Sequence, residues 1–469
     1  MPITARSYLG LLVLGLGTLV APLDSAVNIA FPRITGDFGV PLADIRWVIV
    51  CYVLTHTSLM LVFGKLGDLF GHKRIFTAGL ALSVLTFTLC AIAWRFEWLL
   101  TFRVSQGVSA ALVLSCGPAL ATSLFPEAYR GRVLGAYLMM FGIGGALGPS
   151  LGGLLVAEWG WQAVFWFRAP IAFAALLLVF VLPTPPRRDA AAPFDTLGAI
   201  LIAAAMSGFL LTVTQLQRFE EHPLAVVLLA VVTLAAIVVY TRRAAQHPSP
   251  VLRLAVFRRV DFTALNLANV AVNFTGFAVL LLVPYFLARL SGLDVGIGGF
   301  VLAMSPLGVV LASPVAGWSI GPVPANRVAF IGVLLVSGGT FIVGQWDGTP
   351  GLLAMALPLL MSGLGLGLFQ VAYMNIVTGT LPIADRGVAG SLALLTRTIG
   401  IVGAASLLTW MFAAFEAGAA RAGLEPRDAF LDGFQSTFGF ASAFLLVFLL
   451  ASLLRPGTWF GRPTEGPDT

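Results

Sequence analysis

Asp24 stands in the stretch VAPLDSAVNIAFP (residues 20–32), preceded by YLGLLVLGLGTLVAPL, which carries no charge. Buried in an apolar segment, a carboxylate lacks the water that stabilises its ionised form, and low dielectric favours the neutral acid. Such an acid can load and release a proton, so proton and a cationic or polarised substrate could alternate on it. Asn28, four residues on, is expected to share its face and to turn with it into an interior cavity. A second group lies in FRVSQGVSAALV (102–113), where Arg103 and Gln106 are three apart and share a helical face. A buried arginine costs roughly 2.5–3.5 kcal/mol on insertion scales. Arg103 therefore needs an interior partner, or must snorkel to the interface near Trp98. Two roles for Asp24 follow: an acid free to titrate, or a fixed partner of Arg103 that ties two helices together.

Other polar side chains recur inside apolar segments. Asn266, Asn269 and Asn273 fall at i, i+3 and i+7, a polar stripe suited either to a cavity wall or to hydrogen bonding between helices. Gln370, Tyr373 and Asn375 form a similar set, and Arg397 is a lone buried cation. His56 could titrate near neutral pH or could simply pack. Tyr137, Phe141, Phe274 and Phe277 are candidates for the wall of an apolar pocket.

The elements that carry these residues follow from composition. Of 469 residues 58% are hydrophobic and only 10% charged, whereas a soluble domain carries about 25% charged residues. Apolar runs long enough to cross a bilayer recur from end to end. They are continuous rather than alternating, so helices are expected and a β-barrel is not. The runs predict an all-α polytopic membrane protein with spans at 8–31, 47–64, 75–94, 99–124, 133–156, 163–182, 196–215, 223–241, 262–287, 296–319, 327–345, 351–379, 387–413 and 434–454. Met1 to Arg6 and the run that follows read as a retained first span rather than a cleaved signal.

Lys and Arg set the orientation. The face of the termini collects Arg6, Lys65, Lys73, Arg74, Arg130, Arg132, Arg187, Arg188, Arg242, Arg243, Arg253, Arg258, Arg259, Arg327, Arg386, Arg455 and Arg462. The opposite face holds Arg33, Arg46, Arg95, Arg168, Arg218, Arg289, Arg421 and Arg427. Both termini are therefore expected in the cytoplasm, with the protein in the cell (inner) membrane. The net charge of +6 is a membrane anchor in this reading and not a nucleic-acid surface. The three cysteines, Cys51, Cys90 and Cys116, lie in apolar runs and are expected to be reduced. With four histidines and no phosphate-cradling loop, no metal site and no cofactor is expected.

Two further stretches bear on movement. The loop GKLGDLFGHKRIF (64–76) sets Gly64, Gly67 and Gly71 around Asp68, with Lys73 and Arg74 close behind. Glycines permit a tight turn there, and an acid in a basic loop can hold two helix ends together and release them. In GIGGALGPSLGG (142–153), Gly144, Gly148 and Gly152 strip one helical face bare, and Pro149 permits a bend. Such a face suits either static close packing or rocking against a neighbour.

Taken in this order, GKLGDLFGHKR, RVSQG and GIGGALGPSLGG resemble the signature loop, the fourth-helix basic motif and the fifth-helix antiporter motif of the major facilitator superfamily. With LDSAVNIAFP and fourteen spans, the chain resembles that superfamily's fourteen-helix drug:proton antiporters over nearly its whole length. Leu69 stands where that family often has a basic residue, and the second-half loop GWSIGPVPANRVAF (317–330) lacks the acid. The resemblance implies two six-helix bundles (1–190 and 246–469) joined by two additional helices (191–245). It implies proton-coupled export of lipophilic or cationic drugs by alternating access, through a monomer whose partners are the substrate, protons and the bilayer. Transport of one specific metabolite is the alternative. A membrane enzyme or a sensor fits less well, since neither a catalytic polar cluster near an interface nor a soluble signalling domain is evident.

Overall fold

The computed structural model describes residues 4–41, 44–183, 193–216, 223–293, 295–455 and 457–460. Among these described residues are 14 helical segments long and apolar enough to cross a membrane. In order they are Ala5–Phe38, Arg46–Phe70, His72–Ala91, Phe96–Ser123, Glu127–Trp159, Ala163–Val181, Thr196–Gln215, Pro223–Gln246, Val260–Arg289, Ile297–Ser319, Ala325–Val343, Leu352–Thr380, Ile383–Arg421 and Pro426–Leu453, hereafter spans 1 to 14. The all-α reading and the number of spans agree with the sequence. Several helices outrun their apolar cores. Span 13 runs on to Arg421 and span 14 begins at Pro426, so Arg421 and Arg427 sit on helix ends. Backbone hydrogen bonding continues past the point where side chains turn polar, which the apolar pattern does not reveal. Arg187, Arg188, Arg218 and Arg462, and the boundary at 190, lie outside the described residues.

Span 1 departs from a continuous helix. An α-helix over Ala5–Leu19 gives way to a 3₁₀ turn over Pro22–Ser25, and a second α-helix follows over Ala26–Phe38. Pro22 has no N–H to continue the ladder. The chain closes i→i+3 bonds instead, from Ala21 N to Thr18 O (3.2 Å) and from Asp24 N to Ala21 O (3.1 Å). Asp24 therefore sits in a break rather than on a regular helix.

Residues group into two compact units. The first comprises Met1–Leu211, Val227–Val256 and Val377–Leu395, and the second Thr212–Val226, Phe257–Ile376 and Thr396–Thr469. In the first, span 4 packs on spans 2 and 3, span 3 on span 6, and span 5 on span 1. An apolar core of Val27, Ile34, Val48, Leu99, Trp161 and Phe165 forms around the C-terminal half of span 1, where Trp161 Nε1 donates to Asp37 Oδ2 at 2.8 Å. Spans 7 and 8 meet at Gly208, whose missing side chain leaves room for Thr233. Ser207 Oγ donates to Ser58 Oγ at 2.8 Å, tying span 7 to span 2. At the other end of the pair, buried Asp195 accepts from Gly198 N (2.9 Å) and Arg243 Nε (2.7 Å).

In the second unit, span 14 packs on spans 9 and 11. Phe286, Trp346, Phe434 and Phe438 form its aromatic centre. A short helix, Gly457–Phe460, closes one end of this unit. Its Trp459 is fully buried, and Thr458 Oγ1 donates to Asp261 Oδ1 at 2.8 Å.

Candidate functional site

The break in span 1 delivers the Asp24 carboxylate to two guanidinium groups. Arg103 of span 4 grips it fork to fork, Nη1 to Oδ1 and Nη2 to Oδ2, both at 2.7 Å. Arg168 of span 6 reaches the same Oδ1 through Nη1 at 2.6 Å. Gln106 Nε2 adds a third donor to Oδ1 at 3.0 Å and accepts from Arg103 Nη1 at 2.8 Å. Bidentate charge-assisted bonds of this kind are among the strongest in proteins. Backbone carbonyls fix both guanidiniums: Arg103 Nε donates to Val48 O and Arg168 Nε to Val164 O, each at 2.8 Å. Aromatic faces complete the setting. Arg103 lies 4.5 Å from the centre of Tyr52, Arg168 lies 4.7 Å from that of Phe87, and Phe165 is shared by both. Neither arginine side chain has any exposure, while the Asp24 side chain keeps 12%. The carboxylate is thus the accessible edge of a centre that holds two positive charges and one negative.

This arrangement excludes the snorkelling alternative for Arg103. It also corrects the expectation that counted Arg168 among the charges of the face opposite the termini. Arg168 is fully buried, and its signal was present in FWFRAPIAF, where it is the lone charge of a long apolar run. Asn28 is exposed and does not belong to the cluster. A 3₁₀ turn advances about 3.0 residues per turn rather than 3.6, so i+4 spacing across the break no longer marks one face. His56 stays one turn from Tyr52, with Nδ1 3.1 Å from Tyr52 O. A narrow cleft lined by Val20, Ala21, Tyr52, Ser83, Phe87 and Gln106 borders the centre.

The glycine stripe of span 5 lies directly against the break. A Cβ on Gly144 would come within 2.7 Å of Leu19 O, and one on Gly152 within 2.8 Å of Ala26 Cα. A Cβ on Gly148 would strike Ser25 Oγ. The helix runs on past Pro149 to Trp159. These glycines let span 5 hold the turn that presents Asp24.

In the second unit the polar stripe forms one buried network. Asn269 Nδ2 donates to Thr396 Oγ1 at 2.8 Å, and Asn273 Nδ2 to Asn269 Oδ1 at 2.9 Å. Gln370 Nε2 bridges Asn269 Oδ1 (3.1 Å) and Asn273 Oδ1 (3.2 Å). Tyr373 donates its hydroxyl proton toward Asn266 Oδ1 at 2.8 Å and lies 3.0 Å from Thr396 Oγ1. The sequence pointed to both halves of this network but not to Thr396, its hinge; attention fell on the adjacent Arg397, which is half-buried.

The glycine- and charge-rich loop builds a third constellation. The Asp68 carboxylate accepts from the backbone N–H groups of Gly387 (2.8 Å) and Val388 (3.1 Å) and lies 3.3 Å from His72 Nε2. Those N–H groups open the helix Arg386–Arg421 and have no partner within it. A carboxylate there also meets the positive end of the helix dipole. Gly64 and Gly387 make the approach possible, since a Cβ on Gly64 would lie 2.6 Å from Gly387 O. Gly67 faces Cys116 and His72 with equally little room, and Gly71 turns the chain at φ +99°. Nearby, Lys65 pairs with Asp385 at 3.0 Å, and Arg386 holds Glu127 through two bonds of 2.8 and 2.9 Å. Lys73 donates to the Leu182 carbonyl, whereas Arg74 is exposed. Among the described residues, no group of three or more His, Cys, Asp and Glu side chains gathers as for a metal ion.

Comparison with known proteins agrees with this architecture. The family described as Major Facilitator Superfamily matches residues 14–405. The riboflavin transporter RibZ of Clostridioides difficile (strain 630) is 26% identical over 410 residues, spanning 87% of this chain and 89% of the relative. The tetracenomycin C resistance and export protein of Streptomyces glaucescens is 28% identical over 398 residues, spanning 84% and 74%. In fold, the chain is similar to the proton:xylose symporter XylE bound to 6-bromo-6-deoxy-D-glucose, with a TM-score of 0.63 at 14% identity over 96% of this chain and 97% of that one. The chain belongs to the Major Facilitator Superfamily and is a multi-pass membrane transporter of that fold.

Proposed function

We propose that this transporter exports lipophilic or cationic drugs and other toxic compounds across the cell membrane in exchange for protons, by alternating access, with Asp24 as its coupling acid. One observation carries the reading: a carboxylate inside the first unit joins spans 1, 4 and 6 through the charges of Arg103 and Arg168. Protonation of that carboxylate removes the charge both guanidiniums hold and releases span 1 from spans 4 and 6. Loss of the proton re-forms the pairs. A proton can thereby favour one conformation over another, and the work available equals its differential affinity for the two. Asp68, Lys65 and Asp385 form the latch on the Lys/Arg-rich side, which this reading places in the cytoplasm with both termini. Asn266, Asn269, Asn273, Gln370, Tyr373 and Arg397 belong to the second bundle's half of the pathway. The protein works as a monomer of two six-helix bundles (1–190 and 246–469) joined by two extra helices (191–245).

The export protein among its relatives supports outward transport of a toxic compound. The riboflavin transporter supports a second reading, carriage of one metabolite. Expression in cells stripped of their own efflux systems separates them. Broad export predicts lowered accumulation of several unrelated dyes and antibiotics, restored to the control level by a protonophore. Unchanged accumulation of every compound, with the protein present in the membrane, would favour the single-metabolite reading.

A further inference from the structure

The charge count at Asp24 bears on what kind of compound the site accepts. Its carboxylate faces Arg103 from span 4 and Arg168 from span 6. The other titratable groups nearby are Tyr52, His56 and Cys51 of span 2 and Cys90 of span 3, and none supplies a second negative charge. The ionised centre therefore carries one positive charge in excess, sealed among Tyr52, Phe87 and Phe165. Arg168 Nη2 is buried and has no hydrogen-bond partner among the described residues. A buried guanidinium N–H left without an acceptor is costly. It is a vacant donor beside a carboxylate that already has all its charge matched.

We propose that Arg168 is the specificity residue of this transporter and that the centre accepts a lipophilic compound bearing an acidic group, such as a carboxylate, phenolate or sulfonate, while rejecting cations. The inference rests on the export reading, keeps its lipophilic substrates and removes the cationic ones. The acidic group takes the vacant Arg168 Nη2 and cancels the excess charge, and the apolar wall of the bordering cleft, Val20, Ala21, Ala110 and Val113, receives the apolar body. A cation meets a carboxylate that two guanidiniums already occupy and is repelled by the remaining charge. Asp24 keeps the two like charges together.

The test uses the purified full-length protein and a matched pair of fixed-charge probes, biphenyl-4-sulfonate and biphenyl-4-trimethylammonium, titrated by calorimetry against empty-micelle blanks. Wild type is expected to bind the sulfonate at least ~10-fold more tightly than the ammonium, the effect of one unmatched charge. Arg168→Gln, which leaves the centre neutral, is expected to bring the ratio to about one, and Arg168→Lys to keep it above one. A purely structural role for Arg168 would weaken both probes together and leave their ratio unchanged, which would overturn the proposal. If Arg168→Gln fails to fold, wild type still decides: equal or preferred binding of the ammonium overturns it. Binding of neither probe, together with no proton movement for any compound of a drug panel, overturns the export reading and this inference with it. Binding of both without preference overturns this inference alone.

Discussion

Asp24 and Arg103 meet fork to fork, with both Nη–Oδ distances at 2.7 Å, across 79 residues of sequence. Removing one member of a buried ion pair leaves the other without compensation, a loss of roughly 3–5 kcal/mol. Asp24→Asn should therefore lower the thermal midpoint in detergent. The double variant Asp24→Asn/Arg103→Gln should lose clearly less than the sum of the two single changes. Thermal unfolding of the four proteins closes this cycle, and additive losses would mean that the pair contributes nothing.

Glycines of span 5 give predictions of opposite sign from the same chemical change. Cβ atoms on Gly144 and Gly152 would run into the backbone of span 1, whereas those on Gly145 and Gly153 meet nothing within 4 Å. Gly144→Ala and Gly152→Ala should destabilise by about 1–3 kcal/mol through overpacking. Gly145→Ala and Gly153→Ala should be neutral or stabilise by up to ~1 kcal/mol, through the better helix propensity of alanine. Unfolding midpoints of the four variants check this.

At the latch, Lys65 and Asp385 are both nearly buried and 3.0 Å apart. Lys65→Asp places two acids together and should lower transport several-fold. Adding Asp385→Lys restores opposite charges and should recover part of it, the shortfall arising because Arg253, whose Nε lies 3.8 Å from Asp385 Oδ2, then faces a lysine. Dye-efflux rates at matched expression read both. Asp68→Asn should be more damaging than either, since an amide lacks the charge that favours the dipole of the helix it caps.

In the second unit, Tyr373→Phe removes the hydroxyl that joins Asn266 to Thr396. The expected cost is about 1 kcal/mol. Asn269→Leu takes away the partner shared by Gln370, Asn273 and Thr396 and should cost more, about 1–3 kcal/mol for each buried group left unpaired. If the two changes cost the same, Asn269 is not the centre of the network. Guanidinium-free thermal scans with a common detergent give the comparison.

Much of this architecture was legible because lipid imposes simple rules. Each span needs a long apolar run, so all fourteen could be counted. Intramembrane charge is expensive, so Asp24 and Arg103 stood out. Periodicity likewise put Asn266, Asn269 and Asn273 on one stripe. What escaped depended on local geometry or on edges. Pro22 marks the helix break, yet the change of phase that separates Asn28 from Asp24 follows from the 3₁₀ turn itself. Arg168 lies near the start of its span, where orientation rules count arginines as loop anchors, although only its tertiary setting makes it a partner of Asp24. The Asp68 contact joins residues 319 apart and uses backbone N–H groups, which no side-chain pattern encodes.

The central claim is that Asp24 couples protons to transport. The most direct measurement follows lumenal pH in inside-out vesicles or proteoliposomes holding an acid-inside gradient, as lipophilic acidic, neutral and cationic compounds are added to wild type and to Asp24→Asn. The account predicts proton release from the lumen on addition of a substrate to wild type, and none in Asp24→Asn that still folds and inserts. Proton release of equal size from Asp24→Asn would contradict it and move the coupling to another residue, with His56 the next to examine.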